Sequence, residues 1–377
     1  MSAATDALLD FALSLHRAIA PAPDRNACWS PYSVAVALGM AAGAARGTTR
    51  DELVRALTAA SGAAIDDTTI DDTAIEHLAD LLGTAAEIEP DDAQLQLAAT
   101  AWLREDVEVA DGFADALARW PSGALRSFGT DLHQARERIN ADVAETTRGL
   151  IRELLGDGVL GPRTVAVLVS ALYLKAAWTN PFDQHLTRQR RFNTPAGAVE
   201  VPTMELVAEL DYAWTDRWQF VTLPGRGGVE AVILLPHGPL GAAEAALSAA
   251  ELSAARSGSR RVRLRLPRLR LEWSSRLSGP LATLGVRELF DPDRADLTGL
   301  TPQRPAWVDE VVHRSVLRVD EQGLEGAAAT AVIIAMRAMV TPPAEPVLVE
   351  VDRPFLLLIR HRSSGVSYFL TRVTDPS

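Results

Sequence analysis

Apolar residues recur every three or four positions through much of the first 160 residues. This period predicts amphipathic or buried helices over residues 7–19, 33–45, 49–57 and 139–155. Thr49 and Glu52 have capping-box spacing, so the third of these helices is expected to begin there. Residues 95–102, in contrast, have the composition of a strand.

The pattern changes after residue 160. Residues 164–174 form a nearly continuous run of Val, Leu and Ala, which is typical of a strand buried on both faces. Further strands are predicted at residues 219–223, 230–235, 262–271, 311–319, 347–351, 355–360 and 367–373. Helices followed by strands indicate an α+β fold. The late strands need partners elsewhere in the chain, so residues 1–377 are expected to form one domain.

A long segment without clear helix or strand boundaries lies between Val319 and Val347. Loops of this length are uncommon in compact domains and are usually functional or disordered. From Leu324 onwards its residues alternate, and one face of the alternation carries no charge: Leu324, Gly326, Ala328, Thr330, Val332 and Ile334. Such a segment could enter a sheet as an added strand with that face towards the core.

Composition narrows the range of functions. The chain has 49 acidic and 37 basic residues, a net charge of −12, and a single cysteine, Cys28. The acidic balance argues against a nucleic-acid partner, and a lone cysteine cannot form an internal disulfide. Lys175 is the only lysine among many arginines. With the high alanine content, this indicates GC-rich bacterial coding.

No catalytic motif stands out. Residues 156–161 match G-x-G-x-x-G, but they follow a helix and precede a strand, the reverse of the dinucleotide-binding context. Neither G-x-S-x-G nor H-E-x-x-H is present. We therefore expect no enzyme activity, no metal and no cofactor.

The start of the sequence and its apolar runs bear on localisation. The first residues lack the basic start and continuous apolar stretch of a signal peptide. The longest apolar runs are too short to span a bilayer. A cytoplasmic protein without a membrane partner is expected, with export by an unrecognised route as the alternative.

Seven separated motifs, in order, resemble those of the serpins, the serine protease inhibitor family. They are NACWSPYS at 26–33, ARGTT at 45–49, Ile139-Asn140 with Thr147 and Gly149, LVSALYLKAAW at 168–178 with Pro181-Phe182, LPRL at 266–269, EQGLEGAAAT at 321–330, and DRPF at 352–355 with IRH at 359–361. The resemblance covers essentially the whole chain, and with the composition it suggests a serpin of bacterial type.

The resemblance implies the serpin fold: a large central β-sheet with additional sheets, packed helices and an exposed reactive-centre loop, at about residues 321–346. It also implies suicide-substrate inhibition. A target serine protease cuts the loop and forms a covalent acyl complex, and the loop then inserts into the central sheet. The inhibitor is expected to be a monomer.

The family's usual spacing puts the cut sixteen residues after the hinge glutamate. Counted from Glu321, the reactive bond is Arg337–Ala338. Arg337 is the only basic residue between Arg318 and Arg353, and an arginine before the bond suits a trypsin-like protease with a carboxylate in its specificity pocket. Cuts after Met336 or Met339 remain open, as do subtilisin-like or papain-like targets.

The resemblance also assigns the residues that control insertion. The hinge consists of Glu321, Gly323, Leu324, Glu325, Gly326, Ala327, Ala328, Ala329 and Thr330. The region where the sheet opens and its latch consist of Trp178, His313, Ser30, Ser33 and Ser170. Leu324 replaces a usual Thr or Ser, Gly326 a usual Ala, and Ser170 a usual Asn. A non-inhibitory serpin acting as a binding or chaperone-like protein is therefore the alternative function.

Arginine alternates with apolar residues in the predicted strand at residues 261–270. The simpler interpretation is a solvated arginine face whose charges pair with acidic neighbours. The alternative is a site for a polyanion, which the net charge of −12 disfavours.

Overall fold

The computed structural model describes residues 2–58, 72–89, 93–162, 164–254, 258–324 and 345–377. The helices are α1 (Ala3–Ile19), α2 (Pro31–Ala44), α3 (Gly47–Thr58), α4 (Asp72–Ala86), α5 (Phe113–Ala118), α6 (Leu132–Thr146), α7 (Leu240–Ala245), α8 (Ala249–Ala254) and α9 (Ser278–Thr283). Two short 3₁₀ helices span Gln184–Leu186 and Glu288–Phe290.

The strands follow in chain order. They are β1 (Ala27–Trp29), β2 (Ala93–Arg104), β3 (Gly123–Phe128), β4 (Ala166–Ala177), β5 (Arg188–Thr194), β6 (Gly197–Trp214), β7 (Trp218–Pro224), β8 (Val229–Pro236), β9 (Gly258–Pro267), β10 (Leu269–Arg276), β11 (Val308–Val319), β12 (Gly323–Leu324), β13 (Val347–Glu350), β14 (Phe355–His361) and β15 (Ser367–Val373).

These strands form two sheets. The central sheet has six strands in the order β10-β11-β12-β4-β2-β3. The second sheet has nine strands in the order β1-β15-β14-β8-β7-β6-β9-β13, with β5 paired to β6. The expected α+β architecture, with a large central sheet and an additional sheet, is thus present.

Helix α2 lies in the core between the two sheets. It packs against β2 and β4 of the central sheet and against β15 of the second. Nearly all of its side chains are buried, as expected for a helix without a polar face. The hydroxyl of Ser30 caps it by accepting a hydrogen bond of 3.1 Å from the Ser33 amide.

Helix α6 and residues 147–160 cover the opposite face of the central sheet. Their apolar side chains form a separate cluster with residues of β2, β4 and β11, including Trp102, Val169 and Val316. The sheet is therefore buried on both faces, which explains the continuous apolar run in β4.

The helix predicted at residues 139–155 was wrong at its end, because α6 stops at Thr146. Arg148 and Gly149 have φ values of 52° and 78°, which no α-helix accommodates. The Asn140 side chain then accepts hydrogen bonds from the Leu154 and Leu155 amides. These bonds fold the chain back against α6 instead of continuing the helix.

The predicted capping box was also wrong. Helix α3 begins at Gly47, so Thr49 lies inside its first turn. The Thr49 hydroxyl accepts the Asp296 amide hydrogen, and the Glu52 carboxylate accepts those of Arg287 and Glu288. Both side chains that the local pattern assigned to a helix cap therefore form hydrogen bonds with residues distant in the sequence.

The strand predicted at residues 262–271 is two strands in different sheets. Strand β9 belongs to the second sheet and β10 to the central sheet, and only Arg268 separates them. Pro267 has no amide hydrogen to donate, and the Arg268 amide bonds to the Pro202 carbonyl of β6. The chain passes from one sheet to the other at this point.

Candidate functional site

Strands β4 and β11 are paired at one end of the central sheet and separated at the other. They pair in parallel from Ala166 and Val308 to Ser170 and His313. In the described part of the chain no pair joins them beyond His313. At the far end β12 lies between them, paired with both. We call the space between residues 171–175 of β4 and 314–318 of β11 the slot.

The two residues of β12 occupy the end of the slot. Gly323 pairs with Ala177 and Leu324 with Ala176 on β4, and Leu324 also pairs with Val319 on β11. Leu324 is fully buried, so its side chain is already part of the core. A Cβ on Gly323 would lie 2.1 Å from the Ala176 carbonyl oxygen. Only glycine fits this close approach to β4.

Glu321 anchors the start of the hinge. Its carboxylate accepts hydrogen bonds from Arg268 Nε at 2.9 Å and Nη2 at 2.6 Å, and from the Thr187 hydroxyl at 2.5 Å. Burial alone would raise the pKa of Glu321, but these bonds and the Arg268 charge outweigh it and hold the pKa below its ordinary value. The carboxylate is 2% exposed, whereas the Arg268 side chain is 45% exposed.

Trp178 contacts the turn that leads into the hinge. Its indole Nε1 donates a hydrogen bond of 2.8 Å to the Asp320 carbonyl, and its amide donates to the Gln322 carbonyl at 2.9 Å. Trp178 is buried. The residue expected in the opening region therefore holds the last turn before β12 by donating one side-chain and one backbone hydrogen bond to carbonyls of that turn.

His313 lies on β11 at the point where β4 and β11 begin to pair. Its Nε2 accepts a hydrogen bond of 3.0 Å from the Ser30 amide, and Trp29 and Trp273 pack their rings against the imidazole. Because Nε2 is an acceptor, the proton of the neutral ring is on Nδ1. Burial lowers the pKa of His313 to about 4.

The structure brings Ser30, Ser170 and His313 together, and His313 is bonded by the backbone amide of Ser30. Ser30 bonds His313 through its backbone amide and uses its hydroxyl to cap α2. The Ser33 hydroxyl donates to the Ser30 carbonyl at 3.4 Å. Ser170 pairs with His313 across the strands, yet its hydroxyl has no hydrogen-bond partner among the described residues.

Several expected site residues lie outside the described residues. They are the reactive bond Arg337–Ala338, its alternatives after Met336 and Met339, and the hinge residues Glu325, Gly326, Ala327, Ala328, Ala329 and Thr330. Of the hinge, the structure describes Glu321 to Leu324.

The arginine face of β9 contacts acidic neighbours. Glu205 on β6 accepts from Arg263 at 2.7 Å, Arg265 at 2.9 Å and Arg190 at 3.0 Å. Arg265 also bonds Glu350 on β13 at 2.9 Å. Arg268, in contrast, belongs to the hinge anchor. These ion pairs agree with the simpler interpretation of the 261–270 segment.

Sequence reasoning missed Arg268 and Thr187 as hinge residues. Arg268 is 53 residues from Glu321 in the sequence, and Thr187 follows a short 3₁₀ helix without a distinctive pattern. Arg268 belongs both to the LPRL motif and to the arginine-rich segment 261–270, but neither pattern indicates a contact with Glu321.

A model of the family described as serpin (serine protease inhibitor) matches residues 6–376. The chain is a serpin. Serpin A3-1 from Bos taurus is 33% identical over 377 residues, covering 98% of this chain and 88% of the relative. Iripin-2 from Ixodes ricinus is 31% identical over 380 residues, covering 96% and 91%. Both relatives are eukaryotic, so they do not support the expected bacterial type.

Solved serpin structures share the fold. Human thyroxine-binding globulin complexed with its hormone aligns with a TM-score of 0.87 and 26% identity, covering 99% of this chain and 98% of the globulin. Serpins are generally protease inhibitors rather than enzymes, although this neighbour is a binding protein. Among the described residues, no helix is long and apolar enough to cross a membrane. The same residues contain no cluster of three or more side chains suited to a metal ion.

Proposed function

We propose that this serpin is a suicide-substrate inhibitor of serine proteases. The observation that carries the proposal is the slot: β12 fills one end of it, and among the described residues the facing edges of β4 and β11 continue beyond β12 without pairing to each other. Two strand edges that flank an incoming strand favour its extension, because each added residue gains ladder hydrogen bonds. Cleavage of the loop would free its hinge to continue β12.

The sequence of the loop supports insertion along this path. Leu324 is buried on the core side of the sheet, so every second residue after it would face the same side. Those residues are uncharged, from Gly326 to Ile334. A charge at one of those positions would cost several kcal/mol, roughly the price of burying an unpaired ion.

We assign the reactive bond to Arg337–Ala338 and the target to the trypsin-like class. The support is the spacing from Glu321 and the absence of any other basic residue between positions 318 and 353 of the sequence. The arginine would pair with the carboxylate in the specificity pocket of such a protease. The protease and the inhibitor would remain joined as an acyl complex.

A carrier function is the second candidate because of the likeness to thyroxine-binding globulin. One apolar cavity beneath the central sheet, lined by Met40, Phe113, Leu125 and Leu300 among others, has a volume of about 20 Å³. Drug-sized ligands occupy pockets of roughly 300–1,000 Å³. This cavity therefore gives no support to a hormone-like ligand.

The test is titration with trypsin followed by denaturing gel electrophoresis. We expect a band at the summed mass that survives boiling, together with a fragment that begins at Ala338. Cleavage without the band but with a large rise in thermal stability would mean that insertion occurs too slowly to trap this protease. Cleavage without a gain in stability would favour the non-inhibitory function.

A further inference from the structure

The register of β12 determines which residues would flank the chain if this strand were longer. Leu324 stands opposite Ala176 on β4 and Val319 on β11. Both pairings are antiparallel, so each step forward along the hinge moves one step back along β4 and β11. The next residue of the sequence, Glu325, would therefore lie between Lys175 and Arg318.

All three side chains would face the same side of the sheet. On β4, Val167, Val169 and Ala171 belong to the cluster beneath α6, and Lys175 shares their side because alternate residues share a face. On β11, Val312 and Val316 belong to the same cluster, which puts Arg318 on this side too. Leu324 belongs to the core on the opposite side, so residue 325 of an extended β12 would face Lys175 and Arg318.

Lys175 and Arg318 are suited to receive a carboxylate. Arg318 Nε is buried and has no hydrogen-bond partner in the described structure, which is costly for a charged donor. Neither residue forms an ion pair with a carboxylate of the described chain. Lys175 is also the only lysine of a protein whose net charge is −12.

The neighbouring charges leave this end of the slot basic. Arg270 stands opposite Arg318 on β10, and Arg148 lies over the Tyr173 ring at 5.4 Å. The nearest acid in the sequence, Asp320, accepts hydrogen bonds from the Gln322 and Gly323 amides. Glu272, two residues further along β10, lies 4.0 Å from Arg270 and 3.7 Å from Arg314.

We propose that Lys175 and Arg318 are positioning residues that receive the Glu325 carboxylate when the hinge extends β12. The proposal rests on the proposed insertion mechanism and adds a determinant of its register. Glu325 is the only charged residue between positions 324 and 336. A slip of one residue would turn Glu325 into the core and Leu324 out of it. The basic pair and the buried leucine thus specify the same register.

The experiment compares the intact protein with the form cut by trypsin after Arg337. Glu325→Gln removes the charge without adding a trypsin site, and Glu345→Gln is the matched control, because Glu345 follows the cut bond and is exposed. Thermal midpoints are measured in a fixed urea concentration that brings both forms into range, and sequencing confirms that the fragment begins at Ala338. We expect Glu325→Gln to lower the midpoint of the cut form alone, by about 2 °C. The shift should shrink in high salt.

A double-mutant cycle tests whether the two basic residues are the partners. In the Lys175→Gln/Arg318→Gln background, Glu325→Gln should produce no further shift in the cut form. In the Arg270→Gln background, which removes a neighbouring arginine outside the slot, the full shift should persist. An equal shift in both backgrounds would overturn the assignment of the partners.

The outcomes separate this proposal from the proposed function. If the wild-type protein gains stability on cleavage but Glu325→Gln leaves that gain unchanged, the carboxylate receptor is wrong and insertion stands. If the receptor shift is found but no boiled complex forms with trypsin, inhibition of trypsin is wrong and the receptor stands. If the wild-type protein gains no stability on cleavage, both are wrong.

Discussion

Arg268 binds the buried carboxylate of Glu321 through hydrogen bonds of 2.9 and 2.6 Å and thereby ties the start of the hinge to the junction between the two sheets. The two partners differ in burial, since Glu321 is almost completely buried and Arg268 is half exposed. Loss of the arginine should therefore destabilise the folded protein more than loss of the carboxylate.

This asymmetry predicts different costs for the two single substitutions. Arg268→Gln leaves a buried carboxylate without its cation and should lower the free energy of unfolding by about 1–3 kcal/mol. Glu321→Gln keeps a hydrogen-bonding group beside Arg268 and Thr187 and should cost less than about 1 kcal/mol. Urea unfolding of the intact protein measures both. Arg270→Gln, on an exposed arginine of the adjacent strand, is the control, and an equal loss in that variant would refute the prediction.

Leu324→Arg should convert the proposed inhibitor into a substrate. The arginine would need to occupy a fully buried position between β4 and β11, at a cost of several kcal/mol, roughly that of an unpaired buried charge. We expect the number of inhibitor molecules consumed per trypsin molecule to rise more than about tenfold. A tenfold rise requires an increase of only about 1.4 kcal/mol in the barrier to insertion. Gel titration measures this ratio.

Leu324→Ile is the matched control for that substitution. It keeps the apolar character and the volume, which usually costs less than about 1.5 kcal/mol. Its stoichiometry should stay close to that of the wild type. If Leu324→Arg also forms the complex normally, insertion beyond β12 is not the inhibitory step.

Arg337→Met tests the assigned reactive bond. Met336 and Met339 flank this position, so the variant keeps the apolar character of the segment and removes its only cation. Trypsin should associate with the variant at least about 100-fold more slowly, because the carboxylate of its specificity pocket would stay unpaired. Stopped-flow competition with a chromogenic substrate gives the rate. An unchanged rate would mean that trypsin recognises a bond other than Arg337–Ala338.

The stability of the intact protein should depend on His313 in mildly acidic solution. The pKa of this residue is about 4 in the folded protein, below its ordinary value of 6.5. The unfolded chain therefore takes up the proton first as the pH falls. Stability is lost from about pH 6.5 downwards and the loss is complete near pH 4, reaching roughly 3 kcal/mol at most.

His313→Gln should remove that part of the acid sensitivity. A glutamine oxygen can still accept the Ser30 amide hydrogen, and the side chain does not titrate. Urea midpoints at a series of pH values would give a shallower loss than in the wild type. His185→Gln, on an exposed histidine, should keep the wild-type slope, and identical slopes in all three proteins would rule out His313 as the source.

Segments with one dominant pattern were predictable from the sequence. The apolar stripe of α1, the small buried residues of α2 and the continuous apolar run of β4 each matched the structure to within a few residues. Strands β5 and β6 were not predicted. Both are rich in polar residues, and β6 contains Pro202. Strand β5 is stabilised by pairing with β6, which also pairs with β9. Such cross-strand pairing has no signature in a single segment.

The hinge illustrates the same limit within the site. Its motif identified Glu321, Gly323 and Leu324, and the alternation of its residues indicated a segment that could join a sheet. The seating of Gly323 and Leu324 beside Ala177 and Ala176 was not predictable. It depends on the separation of β4 from β11, which involves residues almost 150 positions apart in the sequence.

The last three strands determine what would remain after the loop is cut. Residues 338–377 include β13, β14 and β15, and in the second sheet β14 lies between β15 and β8 while β15 lies between β1 and β14. Strands β14 and β15 of the new fragment would thus lie inside the second sheet, between strands β1 and β8 of the amino-terminal part. A cut inhibitor should persist as a two-chain particle that only denaturation separates. Release of the peptide bond would free the hinge to move while β14 and β15 stayed within the second sheet.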